Sequence, residues 1–143
     1  MELEKLLNGG VIIPQPKLVN IWGNPKIGRG TKIAAFVEIG DKVEIGENCK
    51  IEAFVFIPPG VRIGNNVFIG PGTVFTNDKY PTWKRYGLFK NTIVEDDAVI
   101  GANCTILPGI TIGEGSRIGA GSVVVKPTRP LTTYTGNPAK PRI

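Results

Sequence analysis

A chain of 143 residues with 41% hydrophobic residues has room for one domain with a regular core, and its 19 glycines and 12 prolines form no low-complexity tract. The net charge of +5 suits small anionic ligands, but the basic residues are not gathered into a recognition helix or interleaved with aromatics, which argues against nucleic acid. The chain contains no histidine, the commonest metal ligand and the usual acid/base group at neutral pH, so we expect no metal site.

The N-terminal segment, residues 1–20, lies before the repeats and is predicted to be a cap. Glu2 to Leu7 can form a short helix ended by Gly9-Gly10, and such an element would cover the open edge of a β-structure. No signal-peptide pattern opens the chain, and no apolar run approaches the roughly 20 residues of a spanning helix. We therefore expect a cytoplasmic protein that does not contact the membrane.

A six-residue repeat begins at Ile27 and, after one interruption, resumes from Val94, one residue beyond the in-phase position Ile93. Each aliphatic residue is followed four positions later by a small or β-branched residue, so a triplet such as Val43-Glu44-Ile45 alternates inward, outward and inward like a strand. Turn residues separate the triplets. Three strands and three turns make a triangular coil of about 18 residues, and stacked coils form a parallel β-helix. The coils are predicted over residues 21–75 and 94–125 in a single domain.

The side chains in this pattern fall into inward and outward classes. Cys49 and Cys104 occupy inward small-residue positions and are predicted to be reduced core thiols. Glu44 and Arg62 point outward one coil apart on one face, where opposite charges attract. Three apolar residues also point outward, and we expect them to be buried between subunits of a homotrimer; they are Phe56, Phe68 and Val74.

Residues 76–93 interrupt the repeat and are predicted to form one long protruding loop. Asn77 and Asp78 stand where the loop leaves the coil, so they either begin an Asx-type turn or carry function, and both can hold together. The loop is rich in aromatic and basic residues, and its apolar members could instead fasten it to a neighbouring subunit; they are Trp83, Tyr86, Leu88 and Phe89. Residues 126–143, rich in proline and basic groups, are predicted to be an extended tail along the surface.

Several motifs around the loop resemble those of N-acetyltransferases that act on nucleotide-linked 3-amino sugars, within the hexapeptide-repeat acyltransferase family. They are Phe75-Thr76-Asn77-Asp78, Tyr80-Pro81, Asn91-Thr92, Gly101-Ala102-Asn103-Cys104-Thr105-Ile106 and Gly109-Ile110-Thr111-Ile112-Gly113. Gly119-Ala120-Gly121-Ser122 and Gly136-Asn137-Pro138-Ala139-Lys140 are shared more broadly among hexapeptide acyltransferases. The resemblance implies an all-β fold, a left-handed parallel β-helix, with acetyl-CoA as co-substrate in a groove between subunits.

The same resemblance implies roles for individual residues. Asn77 and Asp78 would bind and orient the sugar near its amine and are the candidate catalytic residues, while Tyr80 would contact the substrate. The family commonly has Arg after the loop proline, where this chain has Thr82, so Lys84 or Arg85 would have to replace it; the usual His-Pro start is also missing. The backbone at four residues would bind the pantetheine arm, namely Gly101, Ala102, Gly119 and Ala120, and three basic residues could meet the phosphates, namely Lys126, Arg129 and Lys140.

The absence of histidine also bears on the reaction. A hydroxyl acceptor needs a strong positioned base, whereas a sugar amine is already substantially neutral near neutral pH and the departing thiolate can take its proton. We therefore expect N-acetylation of a UDP- or dTDP-linked 3-amino sugar for surface polysaccharide, with Asp78 as orienting group or, alternatively, as base. The other functions considered are acylation of another small-molecule amine and a non-catalytic scaffold. A zinc-dependent carbonic-anhydrase-like β-helix is excluded, since its zinc requires histidines.

Overall fold

The computed structural model describes residues 2–83 and 89–142, and it consists almost entirely of very short strands. One α-helix, α1 (Glu2–Asn8), and a 3-10 turn at Pro16–Leu18 precede them. The strands are β1 (Asn20–Ile21), β2 (Lys26–Ile27), β3 (Lys32–Ile33), β4 (Glu38–Ile39), β5 (Glu44–Ile45), β6 (Lys50–Ile51), β7 (Phe56–Ile57), β8 (Val61–Ile63), β9 (Phe68–Ile69), β10 (Val74–Phe75), β11 (Thr92–Val94), β12 (Val99–Ile100), β13 (Thr105–Ile106), β14 (Thr111–Ile112), β15 (Arg117–Ile118), β16 (Val123–Val124), β17 (Thr133–Gly136) and β18 (Ala139–Pro141).

These strands form three sheets, and successive strands of the chain enter the three sheets in turn. The first sheet has the order β1-β4-β7-β10-β13-β16, the second β14-β11-β8-β5-β2, and the third β18-β17-β15-β12-β9-β6-β3. All pairs are parallel except β17 with β18. Ile39 pairs with Ile57 and Ile45 with Ile63, so identical repeat positions stack coil upon coil. The chain is therefore a parallel β-helix with three sides.

The core is the column of repeat residues that the sequence analysis placed inward. Their side chains are almost fully removed from water, as at Ile39, Ile57 and Phe75. Buried threonine and serine hydroxyls satisfy the corners between coils, and the Thr31 hydroxyl donates to the carbonyl oxygen of Gly46 at 2.7 Å. Apolar burial and complete strand pairing together hold the coils in register.

Two of the three corners matter for the site. The loop corner joins the first sheet to the second, at residues 22–25, 40–43, 58–60, 76–91 and 107–110. The glycine corner joins the third sheet to the first, at residues 34–37, 52–55, 70–73, 101–104 and 119–122. The first sheet therefore lies between these two corners.

The ends of the helix differ from the sequence-based boundaries. Thr92 and Ile93 belong to β11, which pairs with β8, so the excursion from the coils covers residues 76–91 rather than 76–93. Residues beyond 125 do not run as an extended tail, because β17 pairs in parallel with β15 and adds one more rung before the chain turns back in β18. Within residues 2–83 and 89–142, no helix has the length and apolar character needed to cross a bilayer.

The outward-pointing residues named in the sequence analysis lie on three different sheets. Glu44 and Arg62 are register partners in the second sheet, with Oε2 and Nε 3.7 Å apart, which confirms the predicted charge pair. Phe56 and Val74 are neighbours in the first sheet, whereas Phe68 lies in the third sheet. The three apolar residues are thus not one patch but two, on either side of the glycine corner.

Candidate functional site

The long loop is closed at its base by backbone hydrogen bonds. The Lys90 N–H donates to the carbonyl oxygen of Asn77 at 2.8 Å, and the Thr92 N–H donates to the carbonyl oxygen of Gly60 at 3.0 Å. The two ends of the loop are therefore fixed to each other and to the preceding coil. Residues at this base stand on a rigid support, which is the arrangement that a positioned functional group requires.

Asn77 and Asp78 make different contacts at the loop entrance. The Asn77 side-chain amide donates to the carbonyl oxygen of Pro59 at 2.8 Å and thereby attaches the loop to the coil below. The Asp78 Oδ1 accepts a hydrogen bond from the Tyr80 N–H at 3.0 Å, which is an Asx-type turn. Both side chains remain partly exposed, so a structural role and contact with a ligand are compatible.

The remaining loop residues are only partly described. The Tyr80 side chain is 67% exposed, and the Lys79 ammonium lies 5.7 Å from the centroid of its ring. The predicted substrate contacts Lys84 and Arg85 lie outside the described residues. Trp83 is exposed near the end of the described part of the loop.

A depression of 560 Å³ adjoins the base of the loop, and the sequence analysis did not single it out. Its floor is the loop corner of the earlier coils, with Pro59, whose carbonyl holds Asn77, beside the loop residues Phe89 and Asn91. Four of its lining residues are charged: Asp41, Lys42, Glu44 and Arg62. The sequence analysis named Asn91, Phe89 and the pair Glu44 and Arg62 separately, because residues of different coils become neighbours only through stacking of coils.

The predicted pantetheine-binding residues form a column on the glycine corner. The Gly101 N–H donates to the carbonyl oxygen of Ile118, and the Gly121 N–H donates to that of Ala102, each at 2.8 Å. A β-carbon on Gly101 would lie 2.7 Å from the nitrogen of Ala120, so only glycine permits this spacing of the coils. The structure therefore brings Gly101, Ala102, Gly119 and Ala120 together.

The three predicted phosphate contacts are not brought together. Lys140 pairs with Thr135 in the hairpin that extends the glycine corner column at its C-terminal end. Lys126 instead follows β16 on the loop-corner side of the first sheet. Arg129 follows Thr128, which forms a bridge with Ile112 of the second sheet. Arg142, which the sequence analysis did not select, joins Lys140 because its guanidinium donates to the Thr135 hydroxyl at 3.4 Å.

The two cysteine thiols in the core are unsuited to chemistry. Burial raises the pKa of the Cys49 and Cys104 thiols above the usual value, and both donate to backbone carbonyls, those of Gly64 and Gly119. A raised pKa leaves little thiolate at neutral pH. Among the described residues no three carboxylates or cysteines are grouped as a metal site would require.

Tyr134 closes the C-terminal end of the β-helix. Its phenol oxygen accepts a hydrogen bond from the Arg129 N–H at 2.9 Å, and this bond lowers the pKa of the Tyr134 hydroxyl despite its burial. The bond fixes the backbone at Arg129, so that side chain leaves the helix from a defined position.

The fold and the six-residue period define a class of protein, the triangular parallel β-helices. Residues 24–59, 42–77 and 91–126 match the bacterial transferase hexapeptide family of six repeats, and the chain belongs to that family. Its repeats build left-handed coils, so this β-helix is left-handed.

Named relatives and solved structures with this fold are acyltransferases. The chain is 52% identical over 48 residues to the 2,3,4,5-tetrahydropyridine-2,6-dicarboxylate N-acetyltransferase of Clostridium perfringens, covering 34% of this chain and 20% of that one. The acetyltransferase domain of PglB from Neisseria gonorrhoeae in complex with acetyl coenzyme A has a TM-score of 0.80 at 22% identity, covering 94% of this chain and 58% of that one. AntD, an N-acyltransferase from Bacillus cereus in complex with dTDP and 3-hydroxybutyryl-CoA, has a TM-score of 0.72 at 21% identity, covering 99% and 87%. The chain spans 20% to 39% of the length of the first curated relatives that it matches.

Proposed function

We propose that this chain is an acetyl-CoA-dependent N-acetyltransferase whose acceptor is the amine of a nucleotide-linked 3-amino sugar, carried by UDP or dTDP and destined for surface polysaccharide. The observation that carries the proposal is the loop base, where Asn77 and Asp78 stand on a rigid corner beside a depression large enough for a sugar. Structures of the same fold contain acetyl-CoA or dTDP, which makes these the ligands to test.

The reaction needs no histidine and no metal. The neutral amine nitrogen attacks the thioester carbonyl carbon, the carbon–sulfur bond breaks, and the thiolate takes the proton that the nitrogen loses. The Asp78 carboxylate and the Asn77 amide orient the amine, and Tyr80 together with Lys84 or Arg85 contacts the rest of the substrate. The rate gain comes from position rather than from a strong base.

Acetyl-CoA is proposed to lie along the glycine corner. Its pantetheine arm follows the backbone at Gly101-Ala102 and Gly119-Ala120, where all four residues are at least partly exposed and the small side chains allow close approach. Its phosphates meet Lys140 and Arg142 at the C-terminal end of the same column. Lys126 and Arg129 leave the helix elsewhere, so they would serve a cofactor bound to a neighbouring subunit.

The positions of these groups support a homotrimer as part of the proposal. The loop corner and the glycine corner occupy opposite edges of the first sheet, so the sugar and the cofactor meet when a second copy places its glycine corner against the loop of the first. Phe56 and Val74 lie on the first sheet between the two corners and would be covered by that contact. The closed threefold arrangement repeats the contact without leaving an open end.

The test incubates the purified chain with acetyl-CoA and a panel of UDP- and dTDP-linked amino sugars, and it measures thiol release and N-acetyl product by mass spectrometry. Each amino sugar is paired with the same nucleotide sugar carrying a hydroxyl in place of the amine, which should not react. Acetylation of small amines that carry no nucleotide would favour the alternative function, an acyltransferase that acts on another small-molecule amine. If the chain neither turns over any acceptor nor binds acetyl-CoA, the result would favour the other alternative, a non-catalytic scaffold protein.

A further inference from the structure

The depression at the base of the loop opens on the second-sheet side of the loop corner. Its lining includes Val61 and Arg62 of β8 and Glu44 of β5, and none of the described residues that line it belongs to a strand of the first sheet. Phe56 and Val74, which the proposed trimer covers, lie on that first sheet. The depression therefore lies away from the apolar face that the subunits are expected to share.

Lys42 stands at a strained position in the wall of the depression. Its backbone is left-handed, with φ of 61°, and the equivalent residue of the next coil is Gly60, with φ of 98°. A residue with a side chain rarely adopts this conformation, because it costs free energy. The space beside Gly60 stays free: a β-carbon there would lie 3.6 Å from the Asn91 Oδ1 and 3.8 Å from the Phe89 Cβ. Lys42 thus occupies a corner where glycine would fold more easily, next to a space that the loop encloses.

The two cations of the lining differ from its two carboxylates in what already engages them. The Asp41 Oδ1 accepts a hydrogen bond from the Asn24 N–H at 2.8 Å, and the Glu44 Oε2 lies 3.7 Å from the Arg62 Nε. Within residues 2–83 and 89–142, Lys42 forms no ion pair. The Arg62 guanidinium has further N–H donors besides Nε. Both carboxylates are therefore engaged by groups of the chain, whereas Lys42 and part of the guanidinium can bind an anion.

The depression and the loop entrance share Pro59. Its carbonyl oxygen accepts the Asn77 amide at 2.8 Å, and Pro59 also lines the depression. In a nucleotide-linked amino sugar the diphosphate is attached to the sugar ring itself. An amine held by Asn77 and Asp78 at the loop entrance therefore brings the sugar beside Pro59 and directs the diphosphate into the depression.

We propose that Lys42 and Arg62 bind the diphosphate of the nucleotide-linked acceptor in this depression. The inference rests on the proposed function for the acceptor, and it names the groups that hold the acceptor's negative charge. Ammonium and guanidinium groups bind phosphate by charge-assisted hydrogen bonds, and a guanidinium can bind two oxygens at once. The diphosphate of coenzyme A is assigned elsewhere, because the residues proposed to bind its pantetheine arm lie on the glycine corner, across the first sheet.

Calorimetry on the intact chain measures the affinity for UDP, dTDP and coenzyme A, and steady-state kinetics with a UDP- or dTDP-linked amino sugar gives kcat and KM. The test variants are Lys42→Gln and Arg62→Gln, which change exposed side chains. Lys26→Gln is the matched control, since Lys26 is an exposed lysine of the second sheet that does not line the depression. Glu44→Gln breaks the same ion pair as Arg62→Gln but removes a negative charge instead of a positive one.

We expect Lys42→Gln and Arg62→Gln each to weaken the binding of UDP or dTDP about tenfold and to raise KM similarly, with kcat and the affinity for coenzyme A nearly unchanged. Glu44→Gln should bind the nucleoside diphosphate at least as tightly as wild type, and Lys26→Gln should match wild type. If Glu44→Gln weakens binding as much as Arg62→Gln, the ion pair is only structural and the inference is wrong. Equal affinity of all variants, or a loss confined to coenzyme A, would also overturn it.

The diphosphate site and the proposed function fail separately in this experiment. Acetylation of a nucleotide-linked amino sugar with a wild-type KM in both Lys42→Gln and Arg62→Gln would reject the site and keep the function. Binding of UDP or dTDP that depends on both residues, without any acetyl transfer, would keep the site and reject the function. A wild-type chain that neither binds these nucleotides nor transfers acetyl would reject both.

Discussion

The side-chain amide of Asn77 donates a hydrogen bond of 2.8 Å to the carbonyl oxygen of Pro59, one coil earlier in the β-helix. This bond spans 18 residues of sequence and joins the first part of the loop to the loop corner of a rigid coil. Pro59 also lines the depression beside the loop. The residue proposed to orient the substrate is thus held by the wall of the site that it serves.

Asn77→Ala should remove this attachment and leave the Pro59 carbonyl without its donor. Poor alignment of the amine should cost roughly 2–4 kcal/mol in the transition state, or about 30- to 1000-fold in turnover. Steady-state acetylation of a nucleotide-linked amino sugar measures the effect, and calorimetry should show unchanged affinity for acetyl-CoA. Near wild-type turnover would mean that the loop entrance is only a turn.

Asp78→Asn separates charge from turn formation. The asparagine Oδ1 can still accept the Tyr80 N–H, so the Asx-type turn should persist. If the carboxylate orients the amine, turnover should fall at least about 30-fold, with melting temperature and acetyl-CoA affinity unchanged. Asp78→Ala, which removes both charge and turn, serves as comparison. Equal activity of Asp78→Asn and wild type would show that the carboxylate does not take part.

Gly101→Ala should destabilise the β-helix because its β-carbon would lie 2.7 Å from the nitrogen of Ala120. Overpacking of this kind costs about 1–3 kcal/mol. Gly121→Asn is the control on the same corner: a β-carbon placed there would meet no heavy atom within 4 Å beyond its chain neighbours, and Asn103 adopts the left-handed conformation at the equivalent position one coil earlier. Urea unfolding should show a clear loss for the first variant and less than about 0.5 kcal/mol for the second. Equal losses would contradict the stacking argument.

Phe56→Lys should dissociate the proposed trimer, because it places a charge on the first sheet where the subunits are expected to meet. Light scattering at micromolar concentration should give three chains for wild type and a smaller mass for the variant. Arg62→Lys, on the second sheet of the same coil, should keep the wild-type mass. A monomeric wild type would reject the trimer outright.

Neither cysteine should react with a thiol reagent in the folded protein. Cys49 and Cys104 are 0% and 1% exposed, and burial raises the pKa of both thiols above the ordinary value for cysteine. Thiolate is therefore scarce at pH 8 and shielded from the reagent. A colorimetric thiol assay should detect no reaction until denaturant is added, and then two thiols per chain. Rapid labelling of the native protein would show that the core opens readily.

Added chelator or zinc should leave acetyl transfer unchanged. The chain has no histidine, and the described residues hold no cluster of metal-binding groups. The chemistry proposed for the amine needs only orientation and a leaving thiolate. A rate that falls with chelator and returns with metal would contradict this mechanism.

Much of the fold was predictable because its repeat is local. Ile39, Ile45 and Ile51 each reappear six residues on, and the alternation within a triplet decides which side chain enters the core. The motif around Asn77 and Asp78 was visible for the same reason, since it stands where the period fails. The end of the repeat was harder to place, because the rung formed by β17 does not keep the six-residue pattern.

The sequence by itself determined the period, the inward column and the position of the loop, because each depends on residues close together in the chain. Only the tertiary structure decided which outward residues share a face, since that depends on how many turns separate them around a three-sided coil. It therefore separated Phe68 from Phe56 and Val74. It also placed Lys140 on the column of Gly101 and Gly119 while leaving Lys126 and Arg129 apart. Residues that are distant in sequence become neighbours here only through the stacking of whole coils, so their contacts follow from the geometry of the β-helix and not from any local pattern.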